Sequence, residues 1–337
     1  MKTKNSILTI LLLTVCALCI NAHTERNEDL LPINESIRIG KLDNQLTYYI
    51  CHNDNPENRV SFHLAMRVGA IQEEDNQNGL AHFLEHMAFE GSEHFNGEGQ
   101  LIYDYLHSIG VVDVNAYTSF NSTLFLINDV PSTHQSVIDS CLLILKDWAH
   151  GLLLTDEEIE KERGVVHEEW RLSQTAEWRI GEKTSPITFS GTKYGYHDVI
   201  GKVEIIDNFP PQLLRDFYHA WYRPFNQAII VIGDIDVNDI ENRIKQMFNN
   251  LPLDDNAQQV TNIAIPDNDE PIAIVENDKD LQYDHIQIVF KRGHVSPEQK
   301  NRYGYFRDRY IRETISEMLS QRLYEKSQRP IVLICML

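Results

Sequence analysis

Cysteine is scarce in this chain, five in 337 residues. Cys16 and Cys19 lie in an apolar N-terminal run, and the other three, Cys51, Cys141 and Cys335, are odd in number and widely spaced. No disulfide framework is implied, and none of these cysteines pairs with histidines in a zinc-ribbon pattern. Positive charge is also in short supply. Fifty acidic against thirty basic residues give a formal charge of −20, which sets nucleic acid aside as a partner, because phosphate backbones are held by lysine and arginine. Long apolar runs are missing after the first residues. The stretch from Ile7 to Ile20 follows Lys2 and Lys4 and ends in Asn21 and Ala22. It is short for a membrane span and predicts a signal peptide over residues 1–22, hence an exported, periplasmic or extracellular chain with no transmembrane segment once mature. An uncleaved anchor is the alternative. Val15, where a lipoprotein box has a small residue, argues against lipidation at Cys16. Regular βαβ repetition is absent too, which argues α+β.

What is present is concentrated in HFLEH. On a helix, positions four apart lie one turn above each other, so His82 and His86 can present imidazoles to one metal ion. Glu85 stands where it can reach a water beside that metal without being a ligand, the position of a general base. Leu80, Phe83, Leu84 and Met87 are apolar, Ala81 and Ala88 favour helix, and Gly79 and Gly91 bracket the run. A catalytic zinc requires a third protein ligand with one position left open.

Residues 155–180 supply a candidate. Thr155 followed by Glu158 is a capping-box pattern, and the spacing predicts one long helix. Glu162, Val165, Glu169 and Leu172 recur at intervals of three and four, so the two carboxylates are expected on an inward face. Glu169 would complete a His, His, Glu set, and Glu162 would accept the outer N–H of a ligand histidine. Glu168 is the competing third ligand, about 100° around the helix.

With these residues in view, the chain resembles the zinc metallopeptidases of the insulinase and pitrilysin type, in their bacterial secreted branch, across most of residues 36–327. GLAHFLEHMAFEGSEHF resembles that family's first metal helix, and ERGVVHEEWR the helix carrying its third ligand. VNAYTSFNSTLFLINDVP is similar to its cleft strand, and DFYHAWYRPFNQAIIVIGDID to the helix, Tyr-x-Pro turn and strand that close its first domain. The resemblance implies Zn2+ held by His82, His86 and Glu169, Glu85 as base, Glu162 in support, and Asn115 and Ala116 contacting the backbone of a peptide substrate. The interval from His86 to Glu169 is longer than the family pattern, which keeps Glu168 or a small insertion open. It also implies an α+β fold with a mixed, largely antiparallel sheet and helices mainly on one face. An incomplete second domain of the same kind should follow.

Along the chain, strands are expected at LTYYI and VSFHLAMRVGA, an edge strand over 114–127 suited to adding an extended peptide, and an apolar helix over 134–150 that places Cys141 in a core. An irregular stretch is expected over 181–206, then a helix at 211–221, strand AIIVIG and a helix at 237–249. The domain reading is a catalytic domain at 33–250, a polar, acidic linker at 251–270, and a partial domain at 271–337 with strands PIAIVE and HIQIVFKR and a helix from Tyr303 to Ser327. Family members close a chamber with a second half. Residues 271–337 are too few for a complete domain, so the chain is expected to be a fragment, a truncated or frameshifted reading, or a subunit that needs a partner.

The expected activity is zinc-dependent hydrolysis of short or unfolded peptides. The alternative is a non-catalytic peptide-binding or assembly subunit, or an inactive fragment of a larger peptidase. Intact His82, Glu85, His86 and Glu169 argue against a non-catalytic subunit. His94, His167, His197 and His219 complete no spaced pair and are expected to be surface or packing residues.

Overall fold

The computed structural model of the chain describes residues 29–97, 100–253 and 258–328. The expected signal peptide, with Cys16, and the apolar tail containing Cys335 lie outside the described residues. Among the described residues two compact units are present, residues 35–293 and a second made of residues 29–34 and 294–328.

The larger unit is built on one six-stranded sheet. Its strands are β1 (Ile37–Lys41), β2 (Thr47–His52), β3 (Arg59–Met66), β4 (Val114–Thr118), β5 (Thr123–Pro131) and β6 (Gln227–Gly233), in the order β1-β2-β6-β3-β5-β4. Only β2 and β6 run parallel; the other pairs are antiparallel. Strand alternation decides which face is covered. Val60, Phe62, Leu64 and Met66 of β3, Phe125 and Ile127 of β5, and Ile229 and Val231 of β6 are all buried. The mixed α+β architecture is the expected one.

The helices of this unit are α1 (Leu80–Met87), α2 (Ile102–Ser108), α3 (Gln135–His150), α4 (Asp156–Ser173), α5 (Ala176–Thr188), α6 (Val203–Ile206), α7 (Pro211–Trp221) and α8 (Val237–Phe248). Helix α3 lies on β3 and β5, and α8 on β2. Cys141 is fully buried in α3, and burial pushes its thiol up to about 12. Trp148 of α3 stacks on Phe125 of β5, ring centroids 5.1 Å apart, and its indole N–H donates to the Ala88 carbonyl at 2.9 Å. One large side chain thus ties the end of α1 to the sheet.

Several expectations are corrected. The segment 114–127 is not a single strand. Ser119 accepts at its Oγ from the N–H groups of Asn121 and Ser122, and this turn folds the chain into a hairpin whose first strand, β4, is the sheet edge. The predicted helix over 155–180 breaks at Gln174 and Thr175, where Thr175 accepts from the N–H of Trp178 and caps a new helix, α5. That helix runs into the stretch expected to be irregular. On α4 the buried residues are Ile159, Glu162 and Val166. Val165 and Leu172 are 51% and 70% exposed, because the inward seam follows Ile159, Glu162, Val166 and Glu169 at 3.6 residues per turn.

PIAIVE and HIQIVFKR form no strand. A strand is stabilised by pairing, and neither segment pairs with another among the described residues. Ile272, Val275, Ile286, Ile288 and Phe290 remain exposed. Residues 271–293 belong to the sheet-bearing unit, where Arg179 of α5 makes a two-pronged ion pair with Asp278, at 2.6 and 2.7 Å. In the smaller unit, α9 (Pro297–Lys300) is followed by Arg302, which bridges to Leu30, and then by α10 (Tyr303–Ser327).

Candidate metal centre

Helix α1 starts at Gly79, which sits at φ 106° and has no side chain to cap the helix. Leu80, Phe83, Leu84 and Met87 are buried against the core, which turns His82, Glu85 and His86 toward α4 and β4. The two imidazole centroids lie 4.7 Å apart. Glu169 reaches across from α4. Its Oε2 lies 3.1 Å from Nε2 of His86 and 3.6 Å from Nε2 of His82. Glu168, the competing residue, points elsewhere and pairs with Arg171 at 2.9 Å.

Glu162, 5% exposed, takes the far side of His86, its Oε1 2.7 Å from Nδ1. A ring that donates through Nδ1 has its Nε2 lone pair free for a metal. On His82 it is Nε2 that faces Glu169, while Nδ1 is buried with no partner among the described residues. Two imidazole nitrogens and one carboxylate oxygen, with ligand atoms within 4.8 Å of one another, suit zinc with an open fourth position. The donor set fits that ion.

Electrostatics separate the two rings. In the protein alone, burial and the neighbouring His86 hold His82 down at about 4. Burial also opposes charge on His86, but hydrogen bonds to Glu162 and Glu169 outweigh it and raise that ring to about 9. Burial pushes Glu85 above the usual carboxylate range, the direction that suits a base working near neutrality.

Thr118 was missed by sequence reasoning. Its hydroxyl donates to Oε2 of Glu85 at 2.5 Å and so orients the carboxylate. The signal was available: Val114, Ala116 and Thr118 alternate along β4 and share one face. Ala116 lines the cavity over the centre, while Asn115 is exposed, accepting from the N–H of Ala116 and donating to the Tyr117 hydroxyl. The cavity, about 400 Å³, is walled by His82, Glu85 and Glu169 on one side and by Trp178, Asp198, Val199 and Ile200 on the other. Trp178 and Asp198, joined by a 2.7 Å hydrogen bond, were also not foreseen.

Among the described residues a second group brings its nitrogen and oxygen atoms equally close together: Glu93, His94 and Asp147. Here the buried Asp147 accepts from the Ser92 hydroxyl at 2.6 Å and the His94 N–H at 2.9 Å, and pairs with the His94 ring at 2.8 Å.

Residues 48–197 match the family model described as Insulinase (Peptidase family M16), and residues 208–329 match that described as Peptidase M16 inactive domain. The chain belongs to peptidase family M16. The second match begins inside the sheet-bearing unit, ahead of β6. The chain is 35% identical over 246 residues to the probable zinc protease PqqL of Haemophilus influenzae, covering 72% of this chain and 26% of that protein. It is 32% identical over 301 residues to the probable zinc protease PqqL of Escherichia coli, covering 88% and 32%. The crystal structure of the first half of the periplasmic protease PqqL from Escherichia coli superposes with a TM-score of 0.64 at 34% identity, covering 69% of this chain and 50% of that one. The chain thus spans a third or less of these two curated relatives.

Proposed function

We propose that this M16 chain carries a zinc endopeptidase centre acting on short or unfolded peptides, with His82, His86 and Glu169 as ligands. The observation that carries the proposal is the convergence of the two Nε2 atoms and Glu169 Oε2 on one point, with Glu85 beside it. When bound there, zinc lowers the pKa of a water and polarises a peptide carbonyl. Glu85 takes the proton of the attacking water and returns it to the leaving amine. Thr118 keeps Glu85 turned toward the cavity, and Glu162 keeps the His86 tautomer that exposes Nε2.

Peptide binding falls to β4. As the edge of the sheet it can pair with an extended main chain, Asn115 and Ala116 among the contacts, so sequence tolerance is expected to be broad. A second half or partner subunit would close the chamber. Placement outside the cytoplasm is supported by the signal-like residues 1–22 and by the periplasmic location stated for the Escherichia coli relative. Among the described residues no helix is long and apolar enough to cross a membrane.

Hydrolysis of a quenched fluorescent peptide by zinc-loaded protein, with Glu85→Gln beside it, tests this. Cleavage abolished in the variant is the expected result. A folded, zinc-loaded wild-type chain that leaves every peptide intact would favour the non-catalytic alternative, or activity that depends on a second half.

A further inference from the structure

A carboxylate with no part in holding the metal lies fully buried at the start of the metal helix. Glu73 follows the short 3-10 turn Ala70–Gln72, and an ionised group in such a place is costly unless donors surround it. The donors come from the uncapped end of α1. The N–H of Ala81 donates to Glu73 Oε1 at 2.8 Å and that of Gly79 to Oε2 at 3.1 Å. Burial pushes the Glu73 carboxyl up while these donors pull it down, and negative charge there meets the positive end of the helix dipole.

The same carboxylate reaches the opposite wall of the cleft. The Asn78 amide donates both to Glu73 Oε2 and to the Asp198 carbonyl, each at 3.0 Å. His197, buried, has its Nδ1 3.5 Å from Glu73 Oε2. Beside this joint the backbones of Gly79 and Gly201 cross. Both have positive φ, and a Cβ on Gly201 would stand 2.3 Å from the Gly79 Cα. Residues 198–200 are the cavity wall facing His82 and Glu85.

We propose that Glu73 is a positioning residue: its carboxylate fastens the N-terminal turn of α1 to the 197–201 wall and so fixes the width of the cleft in which a peptide meets His82 and Glu85. Its consequence for peptides rests on the peptidase proposal; the joint itself does not.

Glu73→Gln keeps the size of the side chain but turns an NH2 group toward the donors on Gly79 or Ala81. In the full chain, amide hydrogen exchange is expected to quicken at least about tenfold in residues 79–83 and 198–201, with β3 and β5 unchanged. The KM for a peptide should rise about tenfold with kcat little altered, as removal of ground-state positioning predicts. Unchanged exchange at both segments would overturn the proposal, and so would an even acceleration through the sheet, which marks a residue serving general stability. Should the variant fail to fold, Asn78→Ala leaves the Gly79 and Ala81 N–H groups on Glu73 and removes the amide that joins Glu73 to the Asp198 carbonyl. Residues 198–201 are then expected to exchange faster while Ala81 does not, and no change at 198–201 would contradict the joint. A wild-type chain that binds no zinc and cleaves nothing would defeat the peptidase proposal while leaving the exchange comparison intact.

Discussion

Two groups of histidine and carboxylate lie within the same unit, and they differ in what their lone pairs are doing. At His94 and Asp147, Asp147 has a hydroxyl, a backbone N–H and an imidazole to satisfy it. The result is a clamp holding the 92–95 turn against α3. At His82, His86 and Glu169 the two Nε2 atoms converge on one oxygen of Glu169, while the outward nitrogen of His86 is taken by Glu162. Residue type and proximity are shared; what sets the proposed metal site apart is the outer bond from Glu162, which turns the other nitrogen of His86 toward Glu169.

The largest expected effect separates chemistry from binding. Glu85→Gln should lower peptide hydrolysis by at least about a thousandfold, measured as kcat/KM, because a base that acts only as the reaction proceeds is lost. Zinc content, read by metal analysis, should stay at the wild-type value. Next is Glu162→Gln, which removes the charged acceptor of His86 and is expected to weaken zinc about 10–100-fold in a chelator competition. Asp147→Ala sharpens the contrast from the other side. It should cost about 1–3 kcal/mol of stability in a denaturant titration, through the orphaned Ser92 and His94 donors, without changing zinc affinity.

The remaining effect is in pH. His86, raised to about 9 in the protein alone, stabilises the metal-free fold fully below about pH 6.5, its ordinary value, and that contribution is lost as pH climbs through 9. His82, held near 4 by burial, acts oppositely, costing stability as pH falls from about 6.5 toward 4. Zinc must displace the His86 proton, so its affinity should rise between pH 6.5 and 9 by about tenfold per unit. A flat affinity across that window would contradict the charged His86–Glu162 pair.

Much of the centre was legible from spacing. HFLEH fixes its three side chains by helix geometry alone, and Glu162 and Glu169, two turns apart, share a face on any straight helix. Glu169 was separable from Glu168 only in three dimensions, where Arg171 takes the latter. The hairpin at 114–131 was hidden because SFNS is a turn made by side-chain hydroxyls, without the glycine that marks most hairpins. Strand β1, whose residues are mostly exposed, offers little apolar alternation. PIAIVE and HIQIVFKR show the converse failure. Their alternation is strong, but a strand also needs a neighbour, and periodicity does not report one. Thr118 acts through one hydrogen bond and Glu73 through several, to a helix distant or offset in sequence, which no local pattern encodes.

The most direct test of the centre is zinc stoichiometry in the wild-type chain, His86→Ala and His94→Ala, measured on folded protein after dialysis. One zinc per wild-type chain, retained in His94→Ala and lost in His86→Ala, is the predicted result. Zinc lost in His94→Ala but kept in His86→Ala would place the metal at the other cluster and contradict a site at His82, His86 and Glu169.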